Sequence, residues 1–243
     1  MLIFGKIYGT IIFRKIYYAL RRIICGLEVR NLEKKEKKIP EVVIRRLPRY
    51  YRYLEEIEKT GKTKISSKAL SEKMGVTASQ IRQDFNYFGG FGQQGYGYNV
   101  KYLLKEMADI FGISKGYTAI VVGAGHIGQA LANYAGIEKR GFKITAVFDR
   151  DEKKIGSVCN GITVYGMEHI CEYVAENNID IAMLALPKEA IEEVADMLID
   201  CGIKGLWNFA YAELKTKKPV PVENVHLTDS LMTLSFKIKQ NNK

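Results

Sequence analysis

Glycines at 123, 125 and 128, in the run Gly123-Ala124-Gly125-His126-Ile127-Gly128, have the spacing of a turn that lets backbone approach a diphosphate. The run directly follows the apolar Ala119-Ile120-Val121-Val122 and opens a helical pattern, which is the context that chemistry needs. Gly123 permits the tight turn, Gly125 the close approach, and Gly128 the contact of helix with strand. The helix N-terminus then offers amides to phosphate. Asp149 follows 21 residues after Gly128, at the end of Val147-Phe148. A carboxylate there bonds a ribose 2′-hydroxyl and repels a 2′-phosphate, which favours NAD(H) over NADP(H); the neighbouring Arg150 pulls the other way. The alternative is a glycine turn needed only for packing.

A second constellation lies nearer the N-terminus, in Leu70-Ser-Glu-Lys-Met-Gly75-Val-Thr77-Ala-Ser-Gln-Ile81-Arg82. Two helical segments joined at Gly75 match a helix-turn-helix. Ser66-Ser67 caps the first helix, and Thr77 with Gln80 has the spacing of a capping box for the second, expected from Ala78 to about Phe88. Leu70, Val76, Ile81 and Phe85 face inward. Ser79, Gln80, Arg82, Gln83, Asn86 and Tyr87 are then left to meet base edges and phosphates, with Ser66 at the head of the first helix beside them. Arg45, Arg46, Arg49 and Arg52 suit phosphate clamping or plain solvent exposure. The bland alternative is a three-helix bundle with a polar face.

Hydride transfer to a carbonyl needs a proton donor beside the nicotinamide. The three histidines do not supply one: His126 sits inside the glycine turn, His169 opens a helix, and His226 lies in the C-terminal tail. There is no metal-ligand cluster. These features argue against an enzyme and against a metal.

The 243 residues suit two small domains, and the net charge of +10 is uneven. Residues 1–38 carry ten Lys/Arg against three acids and residues 39–115 thirteen against eight, whereas 116–243 carry fourteen against sixteen. A polyanion is the natural partner of the front half. Cys25, Cys159, Cys171 and Cys201 stand apart, which predicts reduced cytosolic thiols and no disulfide or zinc framework. No apolar run is long enough to span a membrane. Residues 1–38 mix Ile, Phe and Tyr with Lys and Arg. They read as an extension outside the fold, with a membrane-surface helix over 1–30 as the alternative.

A compact pattern begins at Ile39-Pro40. Pro40 fits a first helical turn, and Val43, Ile44, Leu47, Tyr50, Tyr51, Leu54 and Ile57 form a helical stripe that Pro48 is expected to kink or divide. Thr63–Ile65 reads as a short strand. Gly89 to Tyr98, with five glycines among alternating aromatics, reads as a hairpin or wing. Val100–Phe111 is helical. Beyond Gly116 the period alternates: strands over Thr118–Val122, Phe142–Phe148, Gly161–Tyr165, Ile179–Leu186 and Gly205–Asn208, and helices over Ile127–Ile137, Met167–Glu176 and Lys188–Cys201. That alternation predicts a parallel sheet covered on both faces.

The chain resembles the Rex family of bacterial redox-sensing repressors. The likeness rests on Ile39-Pro40, Arg46-Leu47-Pro48-x-Tyr50-Tyr51, Gln80-Ile81-Arg82-x-Asp84-Phe85-x-Tyr87-Phe88-Gly89, Gly95-x-Gly97-Tyr98-Asn99-Val100, the glycine triplet, and Gly202-Ile203-Lys204-Gly205-x-x-Asn208-Phe209. It implies an α/β protein with a winged-helix (helix-turn-helix) domain over 39–115 and a Rossmann-like parallel-sheet NAD(H)-binding domain over 116–226. It further implies a C-terminal helix over 227–243, about Asp229–Gln240, that swaps onto a partner in a homodimer. Family members bind a palindromic operator when NADH is low and leave it when NADH binds, with NADH and NAD+ as regulatory ligands. Carried over by position, Gly123 to Gly128 cradle the pyrophosphate and Asp149 the ribose. Ala185, Leu186, Pro187, Asn208 and Phe209 border the nicotinamide, and Tyr98 lies at a hinge near it. Gln83 and the pair Gln93-Gln94 stand where relatives carry basic residues, and either His226 or Asp229 takes the place of an acid before the swapped helix.

The resulting expectation is a cytoplasmic repressor without metal or membrane partner. Its apolar pocket, from Leu186, Phe209 and Tyr98, takes neutral NADH over cationic NAD+, and by linkage NADH and operator weaken each other's binding. Rival readings are an NAD-dependent oxidoreductase, a CoA-binding module and a membrane-tethered form.

Overall fold

A computed structural model describes residues 39–87, 92–93 and 97–241. The N-terminal extension, the expected end of the recognition helix at Phe88 and the wing positions 89–91 and 94–96 lie outside the described residues. The chain divides into two compact units between Leu104 and Lys105.

In the first unit, α1 (Glu41–Lys59) buries Val43, Leu47, Tyr50, Leu54 and Ile57 at helical spacing. Pro40 stands just before the helix with extended dihedrals, its carbonyl accepting from Val43 and Ile44. Pro48 does not divide the helix. Its ring lies on the exposed side, and the burial of Leu47 and Tyr50 next to it offsets the roughly 3 kcal/mol that an interior proline costs. The strand β1 (Lys64–Ile65) follows, then α2 (Ser67–Met74) and α3 (Ala78–Asn86). Strands β2 (Gly92–Gln93) and β3 (Gly97–Asn99) complete an antiparallel sheet in the order β1-β3-β2. Gly97 is required where it stands: φ is +72°, and a Cβ would press on the Ile65 carbonyl. This order of one helix, one strand, two helices and a two-stranded hairpin is that of a winged helix. The helix α4 (Val100–Ile110) begins directly after β3.

The second unit is a sheet in the order β10-β9-β8-β4-β5-β7-β6, parallel throughout except for the edge pair β6–β7. Its strands are β4 (Tyr117–Val122), β5 (Phe142–Asp149), β6 (Val158–Cys159), β7 (Ile162–Gly166), β8 (Ile181–Leu184), β9 (Gly205–Asn208) and β10 (Val222–Asn224). Ile120 and Val122 point into one core with Phe148 and Leu184, under α7 (Ile170–Asn177) and α8 (Ile191–Asp200). Ala119 and Val121 point into the other, under α5 (His126–Asn133) and α6 (Ala135–Glu138). A strand apolar on both sides is what a doubly covered parallel sheet requires.

The helix expected over Ile127–Ile137 is broken at Tyr134, which has extended dihedrals. The Asn133 side chain donates to the Gln129 carbonyl at 2.8 Å, and the Tyr134 amide turns to the Leu131 carbonyl at 3.1 Å where the helix ends. β8 is shorter than the expected Ile179–Leu186, and 3-10 turns over Met167–His169 and Lys188–Ala190 precede the α7 and α8 helices. β6 and β10 were not foreseen. The C-terminal helix, α9 (Leu227–Asn241), starts two residues earlier than expected and buries none of its side chains.

The cysteine expectation is corrected. Cys171 and Cys201 are joined by a disulfide, their Cα atoms 5.1 Å apart across 30 residues of sequence. Both helices return to the same face of the sheet, so the first turn of α7 meets the end of α8, a proximity that spacing along the chain does not reveal. Cys159 is free.

Candidate dinucleotide and nucleic-acid sites

In the second unit β4 has β5 on one side and β8 on the other, so crossovers leave it in opposite directions. The crevice at the carboxyl ends of β4 and β8 is the switch point at which such sheets take ligands. Gly123 turns there with φ +103°, and a Cβ on it would strike the Ala185 carbonyl. Gly128 faces the Gly123 carbonyl so closely that any side chain would collide with backbone. Gly125 differs: it precedes α5 with open space where its side chain would be. Two of the glycines therefore serve the fold, and the third leaves room for a ligand beside the α5 N-terminus. His126 and Ile127 are exposed on that first turn.

Asp149 ends β5 and is nearly buried, at 8 % exposure. Its Oδ2 accepts from the Ala124 amide at 2.7 Å and from Lys154 Nζ at 3.1 Å, and its Oδ1 from the Asp151 amide at 2.9 Å. Burial pushes the Asp149 carboxyl up, but the two amides and Lys154 outweigh it and hold it below the usual carboxylate range. Lys154 was not foreseen. A lysine five residues beyond the acid on an irregular loop has no periodicity to betray it.

Ala185 donates to the Val122 carbonyl at 2.8 Å and so fixes the segment Ala185-Leu186-Pro187 beside the glycine turn. Asn208 is fully buried, and its side chain is committed to structure: it donates to the Ala212 carbonyl and to Asn224 Oδ1, and accepts from the Ala210 amide. Phe209 packs edge-on against Trp207, ring centroids 4.6 Å apart. Gly123 to Gly128, Asp149, Ala185 to Pro187, Asn208 and Phe209 thus all lie at the carboxyl ends of neighbouring strands. Tyr98, in β3 of the first unit, is 8 % exposed, with its ring 5.1 Å from Phe85 of α3. Burial pushes its phenol up. The inward register of β3 places its side chain in the core of that unit.

In the first unit Gly75 adopts the left-handed conformation that ends α2, with φ +66°, and Leu70, Met74, Ile81 and Phe85 lock α2 against α3. Ser66 accepts from the Ala69 amide as the cap of α2, and Thr77 from the Gln80 amide as the cap of α3. The capping box is only half formed, because the Gln80 side chain turns to Asp84 at 2.9 Å. Asp84 is fully buried and also takes two bonds from Arg46 and one from the Tyr50 hydroxyl, each 2.7 Å. Burial pushes its carboxyl up, and these three partners more than reverse the effect, leaving it below its ordinary value. Burial and the Asp84 bond push the Tyr50 phenol well up.

Arg46 and Gln80 were expected at the DNA surface. Both are held by Asp84, a buried charge that must be paired, and the Arg46 side chain keeps 25% exposure. Asp84 itself was missed, although an acid three residues after Ile81 falls on the inward stripe. Arg49 donates to the Met74 carbonyl at 2.7 Å, closing the end of α2, and Arg82 donates to the Ser67 hydroxyl at 3.1 Å. Ser79, Arg82, Gln83 and Asn86 remain exposed on one face of α3, at steps of three and four, and Tyr87 is half-buried at its end.

The family described as "Putative DNA-binding protein N-terminus" matches residues 38–86, and the one described as "CoA binding domain" matches residues 114–212. The redox-sensing transcriptional repressor Rex of Thermoanaerobacter pseudethanolicus is 50% identical over 206 residues, 85% of this chain and 92% of that one. That of Clostridium acetobutylicum is 49% identical over 209 residues, 86% and 98% of the two chains. Among solved structures, RSP, a Rex-family repressor, has a TM-score of 0.79 at 46% identity, covering 84% of this chain and 95% of that one. RSP has also been solved with β-NAD+ and operator DNA, TM-score 0.79 at 49% identity over 84% of this chain and 94% of RSP. Its complex with β-NADH has a TM-score of 0.78 at 46% identity over 85% and 97%. Among the described residues no helix is long and apolar enough to cross a membrane, and no group of three His, Cys, Asp or Glu could hold a metal.

Proposed function

The chain belongs to the Rex family of redox-sensing transcriptional repressors, and from that membership we propose that it binds operator DNA through residues 39–115 and NADH or NAD+ through residues 116–226. It is a regulator and not an enzyme. NADH binding lowers operator affinity, and operator binding lowers NADH affinity by the same factor. The observation that carries this reading is the presence in one chain of an exposed polar face on α3 and a glycine turn with open space at a switch point.

On this reading the amides of Gly125 to Gly128 receive the pyrophosphate. Asp149 receives the adenosine ribose. A carboxylate offers about four acceptor sites. Three are occupied here, so a ribose hydroxyl takes the fourth or displaces the Lys154 ammonium. Leu186 and Phe209 give the nicotinamide end an apolar lining, which disfavours the cationic ring of NAD+. Ser79, Arg82, Gln83 and Asn86 face the base edges. Arg45, Arg49, Arg52 and Ser66 supply contacts to phosphate, and Arg49 does so while closing α2.

The active species is a homodimer in the cytoplasm. α9 exposes Leu227, Leu231, Met232, Leu234, Phe236 and Ile238, each more than half, and an isolated helix of that kind calls for a second copy. Fluorescence anisotropy on AT-rich palindromic duplexes, titrated with NADH and separately with NAD+, tests the whole reading. Release by NADH at concentrations where NAD+ leaves the complex intact is the expected result. Equal release by both nucleotides would rule out redox sensing.

A further inference from the structure

We propose that Cys171 and Cys201 are a reversible dithiol–disulfide pair, oxidised by hydroperoxides, which gives the nucleotide-binding unit a second redox input. Cys171 is the second residue of α7, and Cys201 follows α8 directly. Each is half-buried against the core on that face of the sheet, so both sulfurs are held in place whether or not they are bonded. Their Cα separation of 5.1 Å lies within the range a disulfide demands. Both also line an open groove of about 860 Å³, which provides access.

The groove selects the oxidant. Glu189, Glu192, Glu193, Asp196 and Asp200 line it against Lys217. Even with Asp196 paired to Lys217 and Asp200 to Lys218, the three glutamates leave it negative. An anionic disulfide is repelled from such a surface, whereas small uncharged hydrogen peroxide is not. One thiolate attacks a peroxide oxygen and breaks the O–O bond. The sulfur becomes a sulfenic acid, and the departing hydroxide takes a thiol proton to become water. The second thiol then displaces the sulfenic hydroxyl, which leaves as a second water, and the S–S bond forms. Two thiols lose two electrons, and one peroxide becomes two waters.

The bond matters because of what it encloses. The 30-residue span between the cysteines contains α7, β8, the segment Ala185-Leu186-Pro187 and α8. That segment stands against Gly123. Closing the loop restrains the segment and pre-organises the crevice, so the oxidised form binds NADH more tightly. This consequence for NADH rests on the repressor reading; formation of the bond does not.

The test uses the full chain, reduced and then exposed to stoichiometric hydrogen peroxide. Differential alkylation with peptide mapping reads the bond, and NADH titration of both forms reads its effect. A Cys171–Cys201 peptide that disappears with dithiothreitol is expected, with NADH affinity about threefold or more tighter in the oxidised form. C171S and C201S should bind NADH like the reduced protein and ignore peroxide. Cys171 and Cys201 recovered as free thiols or as sulfinic acids would overturn the proposal. So would a bridged protein with unchanged NADH affinity. If neither form binds NADH, the repressor reading fails and the second input with it, while the peptide map still reports on the bond.

Discussion

Replacing Asp84 probes α3 through its buried charge. The carboxylate is fully buried and accepts four hydrogen bonds, from Arg46 twice, Tyr50 and Gln80. Asp84→Ala leaves the Arg46 guanidinium without its carboxylate, and breaking a buried pair in this way costs about 3–5 kcal/mol. The Arg46 side chain keeps 25% exposure, so water recovers part of that loss, and the lower end, about 3 kcal/mol, is expected. Asp84→Asn keeps the shape but loses the charge on two bonds to Arg46, for about 2 kcal/mol. The acid dependence has a definite sign. The folded carboxyl sits below its unfolded value near 3.9, so its contribution is complete above that value and is lost as pH falls through the folded one. The stability gap between wild type and Asp84→Asn should therefore be constant from pH 7 to about 5 and close only below about 4. Trp207, the one tryptophan, lies in β9 of the other unit, so its fluorescence follows that unit while far-UV circular dichroism follows both. Urea unfolding should show an earlier dichroism transition with the tryptophan transition unmoved. A loss under about 1 kcal/mol for Asp84→Ala, or a gap that does not narrow as pH falls below about 4, would refute the buried-anchor argument.

The glycine turn separates fold from binding. Gly128→Ala should destabilise the second unit by a few kcal/mol, visible as a lower tryptophan midpoint in urea, because its Cβ meets the Gly123 carbonyl. Gly125→Ala should leave that midpoint unchanged and weaken NADH at least tenfold by isothermal calorimetry, because its Cβ fills only ligand space. Asp149→Asn should weaken NADH roughly tenfold and narrow the preference over NADPH, in the same assay. Removal of residues 227–243 should leave a monomer by light scattering and abolish tight operator binding.

Legibility followed the range of the interactions. Helices and strands set by near neighbours, such as the stripe of α1, the buried β4 and the left-handed Gly75, could be read from spacing alone. So could the polar face at Ser79, Arg82, Gln83 and Asn86. Contacts that join distant segments could not. Arg46 lies 38 residues from Asp84 and reads as a surface cation until the pair is seen. Cys171 and Cys201 read as isolated thiols for the same reason. The break at Tyr134 was hidden because Asn133 and Tyr134 are both acceptable within a helix.

The division of labour on α3 has an evolutionary corollary. Asp84, Gln80, Ile81 and Phe85 hold the helix from beneath, while Ser79, Gln83 and Asn86 carry almost none of its stability. If those positions read the operator as proposed, changes there retune which promoter is answered without loosening the scaffold, and a lineage redraws its regulon by a few surface substitutions.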